Sequence, residues 1–135
     1  DTNAGEPSDT FTLEAGFIMA AAMSEMFVHR SGHEVYLAYG IPKEWKTASC
    51  RQMVIEGGHK ISMELENYRI KNVTVEAGKT EELKLHFADY GNFSDRENHE
   101  LTGGTIYVDG GQSVAGGILP LKVEKGKVYR LAYSL

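Results

Sequence analysis

The chain has a single cysteine, Cys50, so no disulfide can form within it. Without a Cys-x-x-Cys pair there is no thiolate set for zinc either. Cys50 reads as a small buried hydrophobe. Thiolate chemistry would need a basic, exposed setting, toward which the sequence offers only the adjacent Arg51. No apolar run reaches the ~18 residues that a membrane-spanning helix needs. Basic residues are outnumbered, 14 Lys and Arg against 19 Asp and Glu, for a net charge of −5. That balance excludes the clustered cations of a nucleic-acid binder and argues against docking on an anionic membrane. It favours a basic protein partner.

Catalytic signatures are missing as well. Ser113 lies among glycines in GGQSVAGG without the spacing of a nucleophile elbow, and nothing in the spacing brings Asp95 or His99 to it. The segments HEVYL and HELTG each begin His-Glu but lack the second histidine of a zinc-protease helix. Glu64 and Glu66 share the wet face of one strand. Glu81 and Glu82 are consecutive and so point to opposite faces. Paired acids on an open face lack the cleft that glycoside hydrolysis requires. The expectation is a protein that is not an enzyme and carries no cofactor.

What is present is short-period alternation. ISMELENY sets Ile61, Met63 and Leu65 against Ser62, Glu64 and Glu66, one face dry and one wet. Val73 and Val75 alternate with Asn72 and Thr74, and Leu83, Leu85 and Phe87 with Lys84 and His86. MFVH-RSG-HEVYLAY reads as a hairpin around a glycine. VTVEAGKTEELKL and LKVEKGKVYRLAY each read as strand, Gly-Lys turn, strand, and so as two further hairpins. Fifteen glycines, mostly at such breaks, fit many short strands. The expected fold is all-β, a single-domain β-sandwich of about seven to nine mostly antiparallel strands with at most one short helix, near residues 17–28. Residues 1–10, DTNAGEPSDT, form a flexible polar tether and residues 11–135 the sandwich. A polar tether ahead of a folded domain suits an exported chain, periplasmic or otherwise extracytoplasmic, with room for a lipid anchor upstream.

Two stretches invite a functional reading. In FIMAAAMSEMFVHRSGHEV, Met19, Met23 and Met26 fall on one face of a helix, and His29 and His33 flank a turn. Thioether and imidazole ligands suit Cu(I). Core packing for the methionines and a wet turn for the histidines is the competing account, and the favoured one. The second stretch, DYGNFSDRENHELTGG, is a long polar connection, and such loops tend to carry function. Its Tyr90, Phe93 and Arg96 are interface anchors, and Asp95 and Glu97, with His99 beside them, face a basic partner. Trp45, the only tryptophan, adds an aromatic in a separate connection. Capping of the core by Trp45 and Phe93 is the alternative.

Residues 104–135 carry Gly104, Val108, Asp109, Gly110, Pro120, Gly126 and Leu131 in an order that resembles the PEGA-type repeat of bacterial envelope proteins. Residues 73–85, VTVEAGKTEELKL, are similar to hairpins of carboxypeptidase-regulatory-like, transthyretin-like β-sandwiches. Both resemblances imply a non-catalytic extracytoplasmic module. The expected function is protein binding outside the cytoplasm, in its most concrete form an inhibitor or immunity protein. Such a protein would block the cleft of a cell-wall-degrading enzyme with its loops. A structural or adhesive envelope module and a Cu(I)-binding protein are the alternatives.

Overall fold

The computed structural model describes residues 10–14, 26–41, 45–67, 69–89, 99–100, 104–109, 113–115 and 117–134. Among the described residues twelve strands run in chain order: β1 (Thr10–Glu14), β2 (Val28–Ser31), β3 (Glu34–Leu37), β4 (Thr47–Ile55), β5 (His59–Glu66), β6 (Arg69–Glu76), β7 (Glu81–Asp89), β8 (His99–Glu100), β9 (Thr105–Val108), β10 (Ser113–Ala115), β11 (Ile118–Val123) and β12 (Val128–Ser134). Nine of them build two mostly antiparallel layers, one of five strands and one of four. The larger layer is ordered β4-β5-β6-β12-β9, extended at its edges by β1 and β10. The smaller is ordered β2-β3-β7-β11. This is the all-β sandwich that the alternation implies. The short helix expected near residues 17–28 lies outside the described residues up to residue 25, and Val28 opens β2.

Period-two patterning produces the core directly. Ile61, Met63 and Leu65 of β5, Val73 and Val75 of β6, Leu83, Leu85 and Phe87 of β7, and Leu119, Leu121 and Val123 of β11 are all at most 2–3% exposed. Each such aliphatic contributes about 1.5–3 kcal/mol by leaving water. Cys50 is buried among them, and burial pushes its thiol up to about 12.

The β2–β3 hairpin forms as expected. Ser31 pairs with Glu34 across a two-residue loop, and Gly32 takes φ +61, as a type II′ turn requires. The two Gly-Lys segments do not form hairpins. β6 belongs to the five-stranded layer and β7, through most of its length, to the four-stranded one. The turn of residues 77–80 therefore crosses between layers. The turn of residues 124–127 crosses back, from β11 to β12. The two arches stack. Ala77 N–H donates to the Lys127 carbonyl at 2.9 Å, Gly126 N–H to the Ala77 carbonyl at 2.8 Å, and Lys125 N–H to Thr80 Oγ1 at 3.0 Å. Turn chemistry specifies a reversal, while the choice of partner strand is made elsewhere in the chain.

β7 also changes layer. Its residues up to Phe87 pair with β3 and β11, while Ala88 and Asp89 pair with β8, and Asp89 with Arg69 of β6. On β11, which among the described strands pairs with β7 alone, Pro120 pairs with Lys84, whose N–H is directed to the His33 carbonyl of the opposite neighbour. The proline ring nitrogen therefore points outward, and the edge lacks a donor where another strand would dock.

Candidate functional site

Three places among the described residues bear on function. The first lies inside the sandwich, beneath the arches. Arg30 of β2, His59 of β5 and Glu81 of β7 each occupy a core-facing position at the end of an apolar series. His59 is fully buried, and the Arg30 and Glu81 side chains are 9% and 7% exposed. Arg30 grips Glu81 with both terminal nitrogens, at 2.8 and 3.0 Å, and donates onward to the Glu56 and Gly32 carbonyls at 2.6 and 2.7 Å. Gly78 N–H donates to His59 Nδ1 at 3.2 Å, which assigns the ring proton to Nε2. Nε2 then donates to Glu81 Oε2 at 2.6 Å. Hydrogen bonding from Arg30 holds the Glu81 carboxyl down at about 2, against the opposing effect of burial, with help from His59. Space is tight here. A Cβ on Gly57 would stand 2.8 Å from His59 Nε2, and one on Gly78 only 2.4 Å from the Gly58 carbonyl oxygen. The carboxylate is engaged by Arg30 and His59, and the group acts as a fastener joining β2, the β4–β5 turn and the first arch.

The second place is the outer face of the four-stranded layer. His29, Tyr36 and His86 stand in register across β2, β3 and β7. Tyr36 stacks on His86 with ring centres 4.5 Å apart and meets Tyr39 edge-on at 5.5 Å. Glu34 Oε1 lies 2.5 Å from His86 Nε2, and that bond lowers the Glu34 carboxyl. His86 sits at a wet position of the alternation yet is 7% exposed, because its neighbours close over it.

The third place is a groove of about 350 Å³ on the outer face of the five-stranded layer. It runs over β6, β12 and β9. Asn72, Ala132 and Tyr107 form one row, and Thr74 and Arg130 the next, with Asp109 beside Arg130. Tyr107 is 50% exposed. Arg130 Nη1 lies 3.9 Å from Asp109 Oδ2, and Asn72 Nδ2 donates to Glu64 at 2.7 Å.

The residues expected from sequence fall unevenly on this frame. Tyr90, Phe93, Asp95, Arg96 and Glu97 lie outside the described residues, and His99 is placed by its backbone alone, in β8. Trp45 is half-buried and packs on the core. Of the copper set, Met19 and Met23 lie outside the described residues. Met26 packs on the core, His29 faces Tyr36, and the exposed His33 stands 3.6 Å from Glu81. Among the described residues, no three of His, Cys, Asp and Glu gather as a metal site. No helix among them is long and apolar enough to cross a membrane. The fastener and the groove were both missed by reading turns and loops. Extending the apolar series by one step, from Val28 to Arg30, Ile61 to His59 and Leu83 to Glu81, finds the fastener. The groove has no comparable signal, since three distant segments build it. No family model matches the chain, and no curated protein matches it.

Proposed function

We propose that the chain is a non-catalytic protein-binding domain that works outside the cytoplasm. In its most concrete form it is an inhibitor or immunity protein that blocks the cleft of a cell-wall-degrading enzyme with the β7–β8 loop. The observation that carries this reading is the paired base of that loop. Ala88 pairs with Glu100 and Asp89 with His99, while Asp89 also pairs with Arg69. The described residues on either side of 90–98 are thereby held side by side. Fixed ends reduce the ordering that binding would cost. Tyr90, Phe93 and Arg96 supply anchor side chains, and Asp95 and Glu97 supply charge that suits a basic cleft. The fold's use of its buried ionisable groups supports the same reading. Arg30, His59 and Glu81 are spent on architecture, and the Cys50 thiol is held protonated.

The test is inhibition of wall hydrolysis by a panel of basic muramidases and amidases. Stoichiometric inhibition of one of them, with a 1:1 complex on size exclusion, is the expected result. Replacing Phe93, Asp95 and Arg96 by alanine should weaken that complex at least tenfold, or about 1.4 kcal/mol. Absence of inhibition across the panel at molar excess rejects the inhibitor. Inhibition that survives the triple substitution rejects the loop as its seat. A second reading, an adhesive module of the envelope, is favoured by the groove on the five-stranded face.

A further inference from the structure

We infer that the groove on the outer face of the five-stranded layer is a binding site for a neutral oligosaccharide, with the Tyr107 ring as its stacking platform. The first observation is the aromatic itself. Tyr107 is the one aromatic among the exposed large hydrophobic side chains of the described residues, and it stands at 50% exposure on a sheet face rather than in a turn. A sugar ring has a C–H face that packs on an aromatic plane and a rim of hydroxyls, the same amphipathic division that the groove shows. Its outward-facing lining joins the Tyr107 ring and the Ala132 methyl to the polar Asn72, Thr74, Arg130 and Asp109.

Charge selects among ligands. Arg130 and Asp109 are the charged side chains of the lining, they carry opposite signs, and they lie 3.9 Å apart. Asp109 is fastened further, since its N–H donates to the Arg130 carbonyl at 2.9 Å and its Oδ1 accepts from the Arg130 N–H at 3.3 Å. With that pair offsetting itself and the Glu64 carboxylate beside Asn72, the groove offers no attraction to a phosphate or carboxylate. It offers mixed hydrogen bonding instead. Donation of its amide nitrogen to Glu64 orients Asn72, so that its carbonyl oxygen remains as an acceptor. The Thr74 hydroxyl donates and accepts, and the Arg130 guanidinium has more donors than Asp109 engages. Ligands with donors and acceptors on every carbon and no charge are polyols. The volume, about 350 Å³, is at the small end for ligand sites and holds about two sugar rings. The platform and its polar neighbours sit on three hydrogen-bonded strands, which fix the backbone that carries them.

The experiment is a two-dimensional amide NMR titration of the full chain with four neutral tetrasaccharides: β-1,4-glucan, α-1,4-glucan, β-1,4-xylan and β-1,4-N-acetylglucosamine. Saturable shifts confined to β6, β9 and β12 with at least one of them are the expected result, with Kd on the order of 0.1–1 mM. Tyr107→Ala should weaken binding at least tenfold and Asn72→Ala several-fold. Val128→Ala, on the same outer face but outside the groove, should leave it unchanged. No saturable shift with any of the four at ~10 mM overturns the assignment. So does an unchanged affinity in a folded Tyr107→Ala variant, or a self-associated dimer in sedimentation that buries this face. The Phe93, Asp95 and Arg96 triple variant should bind the sugar normally, so failure here and failure of the loop proposal are separable.

Discussion

The two arches use nearly the same letters, Glu-Ala-Gly-Lys and Glu-Lys-Gly-Lys, and hold themselves in different ways. In the second, Gly126 takes φ +89 and nothing stands near its missing side chain, so glycine is there for backbone freedom. In the first, Gly78 is there for contact, because the Gly58 backbone fills the space a Cβ would need and its N–H feeds His59. The ion pair of the second arch, Glu124 with Lys127, is exposed on both sides. The acid that ends the first, Glu81, is taken inside and met there by Arg30 and His59. The same turn grammar therefore serves a solvated bend in one case and a buried fastening in the other. What separates them is whether the next inward position of the following strand carries a charge.

Substitutions can break this contrast, and the largest effect is expected at Glu81. Glu81→Ala leaves Arg30 and His59 facing the core without their partner and should cost about 3–5 kcal/mol in urea unfolding. Glu124→Ala should leave the midpoint unchanged within error. The glycines come next. Gly78→Ala forces a methyl onto backbone and should cost about 3 kcal/mol, against about 1 kcal/mol for Gly126→Ala, where only the left-handed backbone is penalised.

Acid sharpens the same contrast. The Glu81 carboxyl is depressed to about 2 in the folded chain, so its contribution is complete above the ordinary carboxylate range near 4.5 and is lost as pH falls from there toward 2. Stability measured across that window should fall in the wild type and fall less steeply in Glu81→Gln. A smaller effect concerns Cys50. Its thiol, pushed up to about 12 by burial, should react with a disulfide reagent only at the rate of unfolding. The smallest is at Tyr107, where alanine should shift stability by no more than about 0.5 kcal/mol, since the ring lies on the surface.

Much of the sandwich is legible in the chain because burial has a period of two. The inward sets of β5, β6 and β7 are the ones that alternation picks out, and Gly32 marks the first hairpin. The arches are not legible as arches. A Gly-Lys turn states that the chain reverses, whereas β11 joins β7 and β12 joins β6 through contacts far apart in sequence. The parallel pairings of β1 with β4 and of β3 with β7 are long-range in the same sense. His86 shows the limit of alternation, since it holds a wet position and is buried by Tyr36 stacked on it and Glu34 bound to it. The fastener was within reach of the pattern, had the apolar series been carried two residues, one inward position, past their ends. The groove over β6, β12 and β9 was not, because no window of sequence contains it.

One strand that starts in one layer and finishes in the other has a mechanical consequence. With β7 threaded through both, sliding the layers apart or peeling one away must rupture bonds along a single continuous backbone. Pulling on the molecule should give one abrupt yield, not a staircase of partial openings.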